Sequence, residues 1–175
     1  MRLLCIGDVC GDAGCEKVKK TLPKIKRDYN VDAVIVNGEN SASNNGVTPF
    51  SADFLFACGA DVITGGNHSF RNSQIVPYLE SNEFILRPHN LPEAQGGRGY
   101  CLIDKGRYSI AVINLAGTIY LERLKAENPF LAADELVKKA KQDGADIIVV
   151  DFHAEATSEK RALGFYLDGK VSAVF

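Results

Sequence analysis

The amino-acid sequence predicts an α/β protein with a largely parallel core. Three observations carry that expectation. Short β-rich runs alternate with segments whose apolar residues recur at helical spacing. Glycines and polar residues cluster directly after apolar runs, as at Gly7-Asp8, Asn37-Gly38-Glu39-Asn40 and Gly65-Gly66-Asn67-His68, where strands end and the backbone turns sharply. A chain of 175 residues, 46% hydrophobic and 24% charged, is long enough to bury a real core. No repeat, low-complexity tract or linker interrupts it, so one domain over residues 1–175 is expected.

Arg2 to Ile6 reads as the first strand, followed by a glycine-rich loop from Gly7 to Gly14. Val18, Leu22 and Ile25 share a face with lysines opposite, which predicts a helix over about 15–28 that Pro23 should kink or break. Ala33 to Val36 is the second strand. Thr48 reads as an N-cap and Pro49 as the first residue of a helix to about Cys58, stopped by Gly59. Asp61 to Thr64 is a short third strand. A helix is expected over 72–80 despite Pro77, then a short strand at 84–86 and a Pro/Gly-rich loop over 87–99.

Tyr100 to Asp104 and Tyr108 to Leu115 flank Lys105-Gly106-Arg107 and read as a β-hairpin. Pro129 opens a helix with Leu131, Ala132, Leu136, Val137 and Ala140 on one face, closed near Gly144. Asp146 to Asp151 is a buried-type strand running into Phe152-His153. A helix over 158–167 and a turn at Asp168-Gly169 lead to Val171–Phe175, which reads as the start of a strand. A domain that continues past this point is therefore expected. An unfinished sheet exposes strand edges that invite pairing between chains, so a homo-oligomer is expected as well.

Charge narrows the function classes. Twenty Lys+Arg against 22 Asp+Glu leave a net charge of −2, too little positive charge for broad contact with DNA. It leaves room for a single nucleotide or phosphate. The longest apolar run, Phe54 to Ala60, falls far short of the ~20 residues a membrane-spanning helix needs. The N-terminal apolar stretch is too short for a secretion signal. The five cysteines (Cys5, Cys10, Cys15, Cys58 and Cys101) form no C-x-x-C pair and read as reduced thiols of a cytoplasmic protein, Cys10 and Cys15 lying beside the first glycine loop.

The chemistry concentrates after strand ends. Asp8 follows the first strand, Glu39 and Asn40 the second, Asn67 and His68 the third, and His153 the run Ile147–Val150. In parallel α/β sheets the ligand crevice lies outside the carboxyl ends of the strands. Carboxylates, carboxamide oxygens and imidazole nitrogen together suit divalent ions such as Mn, Fe, Zn or Mg. A carboxylate can bridge two ions ~3.5–4 Å apart, and a second imidazole outside the shell can protonate a leaving oxygen. Taken singly, each residue has a plain structural reading: Asp8 as a helix cap, Glu39-Asn40 as a solvated turn, Asn67-His68 as a turn, His153 as a hydrogen-bonded core imidazole. The Gly7–Gly14 loop also admits a nucleotide-binding module, although it spells Gly-x-x-x-Gly-x-x-Gly and has no P-loop Lys-Ser/Thr.

Gly7-Asp8-Val9-x-Gly11, Asn37-Gly38-Glu39-Asn40, Gly66-Asn67-His68 and the run from Asp151 to Lys160 together resemble the YmdB-like metallophosphoesterases, bacterial calcineurin-like phosphodiesterases linked to hydrolysis of cyclic nucleotides, including 2′,3′-cyclic ones. The resemblance covers the whole chain and implies a calcineurin-like α/β sandwich. It implies two divalent metal ions, with Asp8 on one, Glu39 bridging both, Asn67 and His153 on the second, and Asn40 at the first or near the phosphate. His68 is implied as the acid that protonates the leaving group, and metal-held hydroxide as the nucleophile. The implied substrate is a small phosphoester or nucleotide. The family continues past the equivalent of Val174 with a Gly-Thr-His-Thr-His segment whose histidines complete both shells. This chain holds only His68, His89 and His153 and stops at Phe175, so a fold incomplete at its C-terminus is expected. His89 is expected to be a surface loop residue. The alternative expectation is a shortened, catalytically impaired derivative that acts by binding.

Overall fold

The protein is described by a computed structural model covering residues 1–92 and 96–175; of the loop expected over 87–99, positions 93–95 lie outside the described residues. The chain folds as two units, Met1–Leu86 and Arg87–Phe175.

In the first unit, β1 (Leu3–Ile6), β2 (Ala33–Asn37) and β3 (Val62–Thr64) form a parallel sheet in the order β1-β2-β3. Helix α1 (Gly11–Tyr29) connects the first pair and α2 (Pro49–Ala57) the second. All five residues of β2 are buried, as expected of the central strand of a parallel sheet. Val18 and Leu22 of α1, Leu55 of α2, and Ile75 and Leu79 of α3 (Ile75–Ser81) pack with Val34, Val36 and Ile63 in one apolar core. The register pairs Ile6 with Val36 and Asn37 with Thr64. Parallel strands in this register end on the same side, which brings the three polar loops that follow them to one edge.

Local chemistry accounts for the helix ends. Thr48 and Ser51 form a reciprocal capping box at α2: the Ser51 amide donates to Thr48 Oγ1 at 3.1 Å, and the Thr48 amide donates to Ser51 Oγ at 3.0 Å. Such a cap contributes about 1 kcal/mol. Helix α1 starts at Gly11, four residues earlier than its apolar spacing suggests, and continues through Pro23. Both Pro23 and Lys19 are exposed, so water can take the Lys19 carbonyl that the proline leaves without a donor. Helix α3 starts at Ile75, later than expected, because Asn72 Oδ1 accepts the Gln74 amide and holds the preceding residues in a turn. Pro77 then falls in its first turn, where no intrahelical N–H bond is lost. The strand expected at 84–86 is reduced to one parallel bridge, Ile63 with Ile85.

In the second unit, β4 (Tyr100–Asp104) and β5 (Ser109–Ala116) form the expected antiparallel hairpin, and β6 (Ile147–His153) and β7 (Ala173–Val174) add in parallel, in the order β4-β5-β6-β7. Ala133, Leu136, Val137 and Ala140 of α4 (Pro129–Gln142) pack with Ile113 and Leu115 of β5, Val150 of β6 and Leu163 of α5 (Thr157–Tyr166). The hydroxyl-free N-cap of α4 is Asn128, whose Oδ1 accepts the Phe130 amide at 2.9 Å. Strand β6 runs on to His153, beyond its expected end, because β5 pairs with it as far as Ala116 opposite His153.

Candidate metal centre

Asp8, Glu39, Asn40, Asn67 and His68 all lie in the first unit and join in one hydrogen-bonded cluster. The frame beneath them is backbone. The Val9 amide donates to the Asn37 carbonyl at 3.1 Å and the Gly11 amide to the Asn40 carbonyl at 2.8 Å, tying the loop after β1 to the loop after β2. The Gly38 amide donates to the Thr64 carbonyl at 3.0 Å, and Asn37 Nδ2 donates to the Gly65 carbonyl at 3.2 Å, tying the loops after β2 and β3. Gly65 admits no side chain: a Cβ there would stand 2.1 Å from Ser69 Oγ and 3.0 Å from the Leu86 carbonyl oxygen. That close approach lets Ser69 Oγ accept the Gly66 amide at 2.8 Å, which fixes the turn carrying Asn67 and His68.

Asn40 organises the side chains. Its Nδ2 donates to Asp8 Oδ1 at 3.0 Å, Asp8 Oδ2 at 3.1 Å and Glu39 Oε1 at 3.1 Å, while its Oδ1 lies 2.8 Å from His68 Nδ1. Since an amide oxygen only accepts, the imidazole hydrogen sits on Nδ1. The other ring nitrogen, Nε2, faces Asn67 Nδ2 at 3.2 Å, and that amide places its oxygen, the atom a cation takes, at its opposite end. Glu39 is only 2% exposed; its Oε2 accepts the His68 backbone amide at 3.0 Å, and its Oε1 lies 3.7 Å from His68 Nδ1. Asp8 is exposed and does not cap α1, whose N-cap is Cys10 with no side-chain cap bond.

This donor set fits a divalent cation. Two carboxylates converge on one amide nitrogen, one of them buried, and like charges held so close are stabilised by positive charge between them. Among the described residues no three His, Cys, Asp or Glu side chains form a cation group by themselves. The Asn67 carboxamide oxygen is therefore the donor that would extend the Asp8–Glu39 pair, while Asn40 turns its nitrogen to the carboxylates and its oxygen to His68.

His153 is the last residue of β6 in the second unit, half-buried, with its carbonyl accepting the Gly117 amide at 2.9 Å. His89 lies in a turn and is half-buried, its backbone amide donating to the Asn114 carbonyl of β5 at 2.8 Å. The conspicuous stretch after His153 has a local explanation. Glu159 is 6% exposed and accepts from the Thr118 amide at 2.9 Å, Thr118 Oγ1 at 3.0 Å and the Ile119 amide at 3.3 Å, so it pins the loop that leaves β5.

Cys10, which the sequence places beside the first glycine loop, reaches the cluster. Its thiol lies 3.3 Å from Asp8 Oδ2 and donates to it, and that bond, with the nearby negative charge, pushes the Cys10 thiol pKa up. Its spacing two residues after Asp8 was the available signal. All five cysteines are free thiols. No helix among the described residues is long and apolar enough to cross a membrane.

Comparison with known proteins agrees with the α/β class and refines it. The chain is 44% identical over 174 residues to a 2′,3′-cyclic-nucleotide 2′-phosphodiesterase of Bacillus subtilis strain 168, a match covering 99% of this chain and 65% of that protein. The crystal structure of a phosphatase from Mycoplasma pneumoniae superposes with a TM-score of 0.89 at 33% identity, covering 98% of this chain and 63% of that one. The chain thus spans a little under two thirds of the length of these relatives. Haemophilus influenzae NAD nucleotidase, at 17% identity and a TM-score of 0.65 over 93% of this chain and 39% of its own, shares the fold alone. The fold is of the α/β metallophosphoesterase type. The YmdB-like protein family matches residues 4–175, and this chain belongs to that family.

Proposed function

We propose that the protein of which this chain is a part, or the whole, is a metal-dependent phosphodiesterase acting on small phosphoesters, with 2′,3′-cyclic nucleotides as the substrate class. The carrying observation is the Asn40 carboxamide, clasped by Asp8 and Glu39 at its nitrogen and by His68 at its oxygen. The name of the Bacillus relative supports the substrate class. On this reading Asp8, Glu39 and Asn67 would hold two divalent cations, with Asn40 beside the first of them or near the phosphate. Bound there, the cations would supply Lewis-acid charge to the phosphoryl oxygens and lower the pKa of water. His153 is proposed as a further ligand from its position in the family motif.

His68 serves as the acid that gives a proton to the leaving oxygen. Its Nδ1 is oriented by Asn40, so Nε2 is the nitrogen that serves the reaction, and it must carry a proton to act as acid. The Asn67 amide now donating toward Nε2 has to give up that contact before Nε2 can donate. Glu39, through the His68 backbone amide, keeps the imidazole at the carboxylates rather than in solvent.

Hydrolysis of bis-p-nitrophenyl phosphate and of 2′,3′-cyclic AMP, with and without added Mn²⁺, tests the reading. Turnover is expected only with metal. Loss of about 10²-fold or more is expected in His68→Ala. Mn²⁺ should raise the melting temperature of the natural chain but not of Glu39→Gln. Mn²⁺-independent turnover, or equal Mn²⁺ stabilisation in Glu39→Gln, would sink it; metal analysis of His153→Ala tests that ligand separately.

A further inference from the structure

Beside the carboxylate cluster, and wholly within the first unit, lies a cavity of about 580 Å³ between the start of α1, the loop after Asn40 and the start of α2. Its size falls within the usual range of small-molecule pockets, about 300–1,000 Å³. Ser41, the residue after Asn40, lines it, so it is continuous along the chain with the candidate metal centre. Its wall combines two kinds of group. Asp12, Glu16, Ser43, Asn44 and Asn72 present polar atoms, and Phe50, 80% exposed, presents a large aromatic ring at the second position of α2.

The charge of this wall limits its occupant. Asp12 and Glu16 line it and no Lys or Arg does among the described residues; Glu16 lies 3.8 Å from Lys19 Nζ, so it is mainly the charge of Asp12 that repels a phosphate there. Among the described residues Asp12 receives the Ser43 hydroxyl alone, at 3.2 Å from each of its oxygens. One hydroxyl hydrogen leaves most of the acceptor capacity of that carboxylate for another donor. An exposed aromatic face next to acceptors suits a flat heterocycle with N–H groups on its edge. Base stacking on such a ring is sequence-tolerant, whereas carboxylates prefer bases with an exocyclic amine.

We propose that this cavity holds the nucleobase of a nucleotide, stacked on Phe50, with an amine-bearing edge toward Asp12. The negative wall would turn the phosphate away, toward the candidate metal centre. That direction rests on the phosphodiesterase reading; the base site itself does not.

The test uses nucleosides, which carry no phosphate, titrated into the full chain and followed by NMR. Guanosine, adenosine and cytidine are expected to bind, and uridine, which lacks an exocyclic amine, about tenfold more weakly. Phe50→Ala should weaken every nucleoside about tenfold and Phe50→Tyr should retain binding. Asp12→Asn should narrow the gap between guanosine and uridine. No nucleoside binding, equal binding of uridine, or unchanged affinity in Phe50→Ala would overturn the proposal. Hydrolysis of bis-p-nitrophenyl phosphate, a substrate without a base, reports separately on the phosphodiesterase reading. Failure of one therefore does not imitate failure of the other.

Discussion

The carboxamide of Asn40 joins His68 to Asp8: its oxygen accepts from His68 Nδ1 at 2.8 Å while its nitrogen donates to Asp8 at 3.0 Å. One amide thus sets the imidazole orientation and bridges to the candidate ligands. Asn40→Ala removes both effects at once. It is expected to lower metal affinity about 10–100-fold, measured by titration with Mn²⁺. Asn40→Asp restores an acceptor for His68 but places a third carboxylate beside two others. It should therefore raise affinity for cations above that of Asn40→Ala. Affinity in Asn40→Ala equal to that of the natural chain would remove Asn40 from the centre.

In the second unit, Glu159 is a buried acceptor for three donors of the loop after β5: the Thr118 amide and hydroxyl and the Ile119 amide. Glu159→Ala is expected to cost about 1.5–3 kcal/mol in urea unfolding, because partly buried donors lose their charged acceptor. Gly117→Ala should destabilise by about 1–3 kcal/mol through overpacking, since its Cβ would stand 2.3 Å from Glu159 Oε2 and 2.6 Å from Ala154 Cβ. If both variants unfold like the natural chain, the loop is not held in this way.

Asp134 links α4 to the end of α5 and the segment after it: the Tyr166 hydroxyl and Lys170 Nζ both donate to it, and these bonds, the tyrosine's first, hold its carboxyl below the usual range. A folded pKa below the unfolded one means stability that is present above the ordinary Asp value and is lost as pH falls through the folded value. Asp134→Asn should therefore lower the melting temperature slightly at pH 7, and the difference should vanish in strong acid. The group is exposed, so the effect is small and screened by salt. A difference that persists unchanged below pH 2 would contradict this account.

Much of the architecture was legible because its causes are local. Thr48-Pro49 marks a helix start wherever the chain goes, since the cap lies within four residues of sequence. The hairpin around Lys105-Gly106-Arg107 is set by its turn. The polar residues after β1, β2 and β3 announced a site because parallel strands must end on a common edge. The end of β6 was not legible, for it depends on β5 offering Ala116 as a partner to His153, 37 residues away.

The residue types that could form a cation centre, and their order along the chain, were readable from the amino-acid pattern alone. Only the folded arrangement put the Asn40 amide between Asp8, Glu39 and His68, set Cys10 against Asp8, and opened the cavity under Phe50. The reason is distance along the chain: Asp8, Asn40 and His68 are separated by 32 and 28 residues. Hydrophobic periodicity specifies which face of each element is buried. It does not specify which polar atoms, carried to the same edge by different strands, come within 3 Å of one another.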